Sequence, residues 1–202
     1  MAAVEKAEVP TRDAIVEAAG RVLLERGVSG VSTREVAAAA GVPLSQIHYH
    51  FGSKQGLILA LFEHWNARLL DRQESMYSDP LLSAADEWDT ACAYLDEDIA
   101  SGYVRTLMEL WAAGWSDPAV AKVVRDAIMG WQELIGGAAR RAEARLGTLG
   151  PFTPESLAAL VGSAFIGAEA YLLLGFDAER VPVRRALDEV GALIRQLEQN
   201  NG

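Results

Sequence analysis

Ile15, Ala18, Ala19, Val22 and Leu23 recur at i, i+3, i+4, i+7 and i+8, the spacing of one apolar face on an α-helix. The pattern starts near Arg12 and stops at Gly27. A second, short helix is predicted after it. Ser32 followed three residues later by Glu35 forms a capping box, which satisfies free backbone N–H groups ahead of the small apolar run Val36 to Ala40. Gly41 can take the positive φ that ends this helix. Pro43 suits the first turn of a third helix, because its missing N–H would be unpaired there in any case. Ile47 and Phe51, four apart, face one side of that helix, and Leu44, Ser45, Gln46, His48, Tyr49 and His50 are left for the others. A three-helix unit from about Arg12 to Phe51 therefore has its own apolar centre.

After Lys54 one long helix is predicted, with Leu57, Ile58, Leu61, Phe62, Trp65 and Leu69 on a common face and a break at Asp79-Pro80. Further helices are predicted from about Ser83 to Ala100, Tyr103 to Trp115, Pro118 to Leu146, Pro154 to Leu174 and Val183 to Gln199, punctuated by Pro and Gly junctions. There is no alternating β pattern and no repeat of solenoid period, so the chain reads as all-α. Its expected organisation is a helix-turn-helix domain over residues 1–56, joined by the long helix to a larger helical domain over residues 57–202.

Two short helices meeting at Gly41, the second dense in hydrogen-bonding side chains, have the layout of a helix-turn-helix. In that motif one helix crosses the phosphates and the next enters the major groove. The run IVEAAGRVLLERGVSGVSTREVAAAAGVPLSQIHYHFGSKQGLILALF, from Ile15 to Phe62, resembles the amino-terminal domain of the TetR family of transcriptional regulators. The shared features are the helix ending in Glu-Arg-Gly, the AGV turn, the His-Phe pair and the Ser-Lys before a long helix. Beyond about Trp65 the resemblance is one of length and helical pattern only.

The resemblance implies that Thr33, Lys54 and either Tyr49 or His50 hold phosphates, and that Arg34 lies near a base or a phosphate. It also implies that Leu44, Ser45 and Gln46 face base edges, where Gln can pair bidentately with adenine and Leu can meet a thymine methyl. His48 stands where the family most often has a phosphate-contacting Tyr, and Pro43 replaces the usual Ser cap.

Taken over the whole chain, a net charge of −10 opposes DNA binding, which needs Lys and Arg against phosphate. The charge is unevenly placed. Residues 1–56 hold six basic side chains (Lys6, Arg12, Arg21, Arg26, Arg34, Lys54) and six acidic ones (Glu5, Glu8, Asp13, Glu17, Glu25, Glu35). The remaining 12 basic and 22 acidic residues all lie in 57–202. A neutral DNA-binding domain implies modest nonspecific affinity, so specificity has to come from base contacts and from pairing of two subunits.

The single cysteine, Cys92, excludes an intrachain disulfide framework. With no signal-like amino terminus and no apolar run of roughly 18 residues, a cytoplasmic protein with no membrane partner is expected. An enzyme reading lacks a reactive constellation. His48 and His50 point in different directions, His64 has no metal-like company, Cys92 has no nearby His, and the Gly-rich GWQELIGGAA has neither a preceding strand nor a Lys-Ser/Thr end. No metal and no cofactor are expected.

In the larger region, Trp88, Met108, Trp111, Trp115, Trp131 and Phe165 could line a pocket for a small hydrophobic effector, or could be plain core; Glu109 lies in the same stretch. Leu157, Leu160, Val161, Ala164, Phe165, Ala168 and Leu172 form one apolar stripe, and Leu187, Val190, Ile194 and Leu197 another. Two such helices from each subunit could pack as a four-helix dimer interface, or both stripes could be buried within one subunit. The function expected is that of a homodimeric, ligand-responsive repressor bound to a palindromic DNA operator. The alternative is a helical small-molecule-binding protein without sequence-specific DNA binding.

Overall fold

A computed structural model describes residues 12–201, so residues 1–11 of the expected amino-terminal domain lie outside the described residues. Among the described residues the fold is all-α: α1 (Arg12–Gly30), α2 (Thr33–Ala40), α3 (Leu44–Phe51), α4 (Lys54–Tyr77), α5 (Ala84–Ala100), α6 (Tyr103–Gly114), α7 (Pro118–Leu146), α8 (Pro154–Leu173) and α9 (Val183–Asn201). The chain divides into two compact units, one running to Trp65 and the other from Asn66. The division falls inside α4 because Leu57 and Leu61, with Trp65 partly buried beside them, belong to the core of the first unit.

That core collects the apolar face of α1 (Ile15, Val16, Ala18, Ala19, Val22, Leu23), then Val36 and Ala37 of α2 and Ile47 of α3. Val31 and Val42 close it from the connections. The α2–α3 turn forms as its sequence predicts. Gly41 sits at φ 68°, its N–H donates to the Ala38 carbonyl at 3.1 Å, and the Val42 N–H donates to that of Ala37 at 2.9 Å. These two bonds satisfy carbonyls left open at the helix end, and only a residue without Cβ adopts that φ cheaply.

The first apolar helix ends at Gly27 as its sequence predicts, in a non-helical kink (φ 70°, ψ 168°) that sets it apart from the last residues of α1 to Gly30. Two local expectations are corrected. Ser32 precedes α2 without making a side-chain cap, and Glu35 lies 3.9 Å from Arg26 instead, so the capping box is not formed. Pro43 stands before α3 with extended backbone (ψ 144°) rather than within its first turn.

In the second unit the predicted starts of α5, α7 and α8 carry side-chain caps. Ser83 and Asp86 form a reciprocal capping box on α5, and Thr153 and Ser156 do the same on α8. The Asp117 carboxylate accepts from the Ala119 and Val120 N–H groups at the start of α7. Pro118 and Pro154 occupy first-turn positions, where no N–H is needed. α7 and α8 pack closely at Gly162, where an added Cβ would stand 2.1 Å from Gln132 Nε2. Leu95, Phe165, Ala168 and Leu187 form a core cluster shared by α5, α8 and α9.

The expectation that no apolar run reaches membrane-span length meets one exception. α8 is long and apolar enough by length and composition, a test that a core helix of a soluble protein also passes.

Candidate functional site

The first unit presents α3 as a short helix anchored by one side. Ile47 is wholly buried, Phe51 packs half-buried on the same core, and Ser45, His48, Tyr49 and His50 are exposed. Tyr49 is 80% exposed, an unusual placement for a large aromatic side chain, and its ring meets that of His50 edge-on at 5.0 Å. Gln46 is half-buried, and Leu44 packs partly against the core, so only part of its side chain is left to meet a ligand.

His48 Nδ1 lies 3.4 Å from the Gly52 carbonyl, a bond that exists when that nitrogen carries the proton. On α2, Arg34 is exposed and Thr33 half-buried. At the start of α4 the Lys54 ammonium donates to the Ser29 carbonyl at 2.9 Å, which leaves two of its three N–H donors for another acceptor. Ser53 Oγ accepts from the Gly56 N–H at 3.0 Å and fixes the turn that delivers Lys54.

The second unit encloses a cavity of about 540 Å³. Trp88, Trp131 and Phe165 form its aromatic wall, with Phe165 edge-on to Trp88 at 5.4 Å and to Trp131 at 6.0 Å. Both indoles are pinned, Trp88 Nε1 donating to the Leu187 carbonyl and Trp131 Nε1 to Gln73 Oε1, each at 2.9 Å. Such bonds hold the rings in one orientation and leave their apolar faces for the cavity.

Three carboxyl groups also line the cavity: Glu87, Asp98 and Glu169. Asp98 receives a two-bond contact from one guanidinium nitrogen of Arg72, both at 2.9 Å. Burial nevertheless pushes its pKa up to about 6, with Arg72 pulling the other way. Burial raises Glu87 too, and Arg141 and Arg145, each 3.8 Å from its Oε1, partly offset this. Glu169 is pushed furthest, to about 8, by burial and then by the charge of Asp98.

Family and structural comparisons bear on both units. Residues 15–61 match the tetR family of bacterial regulatory proteins. Over 60 residues the chain is 38% identical to the HTH-type transcriptional regulator BetI of Rhizobium meliloti (strain 1021), a match covering 30% of each chain. The chain thus spans about a third of that curated relative's length. Residues 15–61 thus form an amino-terminal domain of the TetR type of transcriptional regulators.

Among solved structures that share the fold over most of the chain are two with a bound small molecule. A putative transcriptional regulator from Saccharomonospora viridis, in complex with choline, aligns over 88% of this chain and 93% of its own, with TM-score 0.72 and 20% identity. The regulator FadR from Bacillus subtilis, in complex with stearoyl-CoA, aligns over 91% and 97%, with TM-score 0.70 and 14% identity. The TetR-family relatives are regulators, not enzymes.

In the second unit the structure divides the predicted pocket residues. Trp88, Trp131 and Phe165 line the cavity; Met108, Trp111 and Trp115 are not among the lining residues. On α6 the cavity side is held by Tyr103 and Leu107, and the stripe 108, 111, 115 falls on another side, where Trp115 is 81% exposed. Glu109 is exposed on the same helix.

The predicted dimer stripes are divided as well. Ala168 and Leu187 are buried in their own subunit, with Leu172 packed partly against the same cluster. Leu157, Val161, Val190 and Ile194 line the cavity. Leu160 and Ala164 point outward, continued at helical spacing by Gly167, Tyr171 and Leu174. The physical reason is that α8 carries two apolar faces, which read in the sequence as one wide stripe.

Sequence reasoning missed the polar lining, including Gln73, Tyr77, Glu87, Asp98, Tyr103 and above all Glu169. A signal for the last was present, because Glu169 is the single charged residue between Leu157 and Leu174.

Proposed function

We propose that the chain is a homodimeric repressor that binds a near-palindromic DNA operator through α3 and is released by a small effector held in the cavity of the second unit. The observation that carries this reading is that one chain holds both an exposed, polar α3 on a rigid core and a separate aromatic-walled cavity of about 540 Å³, inside the range of about 300 to 1,000 Å³ typical of ligand sites. Ser45 and Gln46 read base edges, with Leu44 contributing what it does not bury. Thr33, Arg34, His48, Tyr49, His50 and Lys54 face the backbone.

The outward face of α8 supports the dimer. Leu160, Tyr171 and Leu174 are exposed large apolar side chains, and most of this apolar helix is not buried within one subunit. On α9, Val190, Leu193 and Leu197 line the cavity and are also partly exposed, so a second copy could cover what they leave open. Dimeric helix-turn-helix proteins read two half-sites about 34 to 36 Å apart, one turn of B-DNA, and a second copy covering these faces would supply the second α3. Binding to DNA assigns the protein to the cytoplasm. The choline and stearoyl-CoA complexes of the two structural neighbours support an effector site in this fold, and they differ too much in chemistry to name the effector.

Selection of bound sequences from a random duplex library at roughly physiological salt tests the reading, because nonspecific binding is already weak there. An enriched palindrome is expected. No enrichment from a folded dimer free of bound small molecules would favour a small-molecule-binding protein without sequence-specific DNA binding. Gel filtration coupled to light scattering that shows only monomer at micromolar concentration would remove the dimer.

A further inference from the structure

The charged residues that line the cavity are all acidic. Among the described residues, Glu87, Asp98 and Glu169 line it and no Lys, Arg or His does. Their compensation is unequal. Glu87 has Arg141 and Arg145 behind it, each at 3.8 Å, and Asp98 is held by Arg72 at 2.9 Å. Glu169 is only 9% exposed, and its Oε2 has no hydrogen-bond partner. A buried carboxyl group without a partner is costly, and inside an otherwise apolar space it marks where a ligand's polar group completes the site.

We infer that the cavity takes an organic cation, an apolar body ending in one ammonium group that donates to Glu169. This rests on the reading of the cavity as the effector site. Three features select a cation over other ligands. An anionic head would meet carboxyl groups with no basic side chain on the lining to receive it. A neutral hydroxyl could bond to Glu169, but a charge-assisted bond is roughly twice as strong as a neutral one. Trp88, Trp131 and Phe165 line the same cavity, and aromatic rings are the apolar groups that attract a cation.

The groups facing Glu169 set the proton accounting. Asp98 on α5, with Arg72 of α4 attached, and Tyr103 on α6, which donates to Asn66 Oδ1 at 2.8 Å, are its electrostatic neighbours. α7 and α9 present only uncharged side chains to the cavity. The empty site therefore keeps a proton on Glu169 up to about pH 8. Entry of an ammonium ion forms the ion pair and releases that proton to solvent.

The experiment is calorimetric titration of the full chain with octylammonium, 1-octanol and octanoate, three ligands with the same apolar body. Octylammonium is expected to bind at least about tenfold more tightly than octanol at pH 7, and octanoate most weakly. Octylammonium, charged throughout this range like a lysine, should tighten by up to about tenfold per pH unit from pH 6 to 8 and then level off. Proton release should appear as a dependence of the measured heat on the buffer's ionisation enthalpy. Glu169→Gln should weaken octylammonium about tenfold, abolish the pH dependence and leave octanol within about threefold.

Octanoate or octanol binding as tightly as octylammonium would overturn the cation assignment while leaving an effector site in place. Binding of none of the three at millimolar concentration would overturn the effector site and the assignment together. The pH series on the unaltered chain keeps the test decisive if the Glu169 variant folds poorly.

Discussion

In the first unit Ile15, Val16, Val36, Ile47 and Leu57 are completely shut from solvent and the core is built of apolar side chains. The interior of the second unit encloses about 540 Å³ of open space and keeps Gln73, Glu87, Asp98 and Glu169 buried. Under the proposed function, the contrast matches what each task would require. A helix that must present side chains to base edges within tenths of an ångström needs a core with no slack. A unit that must admit a ligand keeps unfilled volume and polar groups in need of partners, at a cost in stability.

The largest expected effect tests the packing contrast. Ile47→Ala should lower the unfolding free energy by about 2 to 5 kcal/mol and abolish DNA binding, because the vacated volume lies in a closed core. Ile128→Ala, at the wall of the existing cavity, should cost under about 2 kcal/mol, since part of that side chain already has no packing neighbour. Urea unfolding curves of the two variants measure the difference, and equal losses would break the comparison.

Next in size is a pH effect confined to the second unit. Glu169 titrates near 4.5 when unfolded and near 8 in the fold, so the unfolded chain loses its proton first. Its contribution to stability is therefore greatest below the lower value and declines as pH rises to the upper one, by on the order of a few kcal/mol. Asp98 adds a smaller decline between 3.8 and about 6. Thermal melts from pH 5 to 8.5 should show Glu169→Gln gaining on the parent as pH rises; parallel curves would mean that the buried carboxyl group is not strained.

A third pair separates reading from holding on the first unit. Gln46→Ala should lose about 1 to 3 kcal/mol of discrimination at one base position, whereas Lys54→Ala should weaken all sequences and lower the salt slope by about 1. Equal loss on every sequence for Gln46→Ala would remove it from the base-reading set. The smallest effect contrasts two serines in front of helices. Ser83→Ala should cost about 1 kcal/mol because its hydroxyl accepts from the Asp86 N–H, and Ser32→Ala only a few tenths because Ser32 makes no such bond. Urea midpoints distinguish them.

Most of the helical order was legible, for reasons that lie in single residues. Pro118 and Pro154 mark helix starts wherever they stand, and Gly41 marks an end because its φ suits few other residues. The Ser32 cap was not legible in outcome, since Ser83 and Ser32 present the same short pattern and only the backbone geometry decides which closes. Site residues divided in the same way. Ser45, His48 and Tyr49 follow from the face that Ile47 buries, a local consequence of period. The cavity depends on which of two apolar faces each helix turns inward, and α6 and α8 each have two. That choice is made by long-range packing, so Trp111 and Trp115 looked as suitable as Trp88, and Glu169 looked like an interruption.

The five tryptophans sit in very different surroundings. Trp88 and Trp131 wall the cavity with their N–H groups fixed, while Trp115 stands almost fully in water. The protein thus carries its own optical gauge. An occupant would shift or quench the emission of the cavity pair against the steady red-shifted light of Trp115, and a Trp115→Phe variant would read the cavity with that background removed.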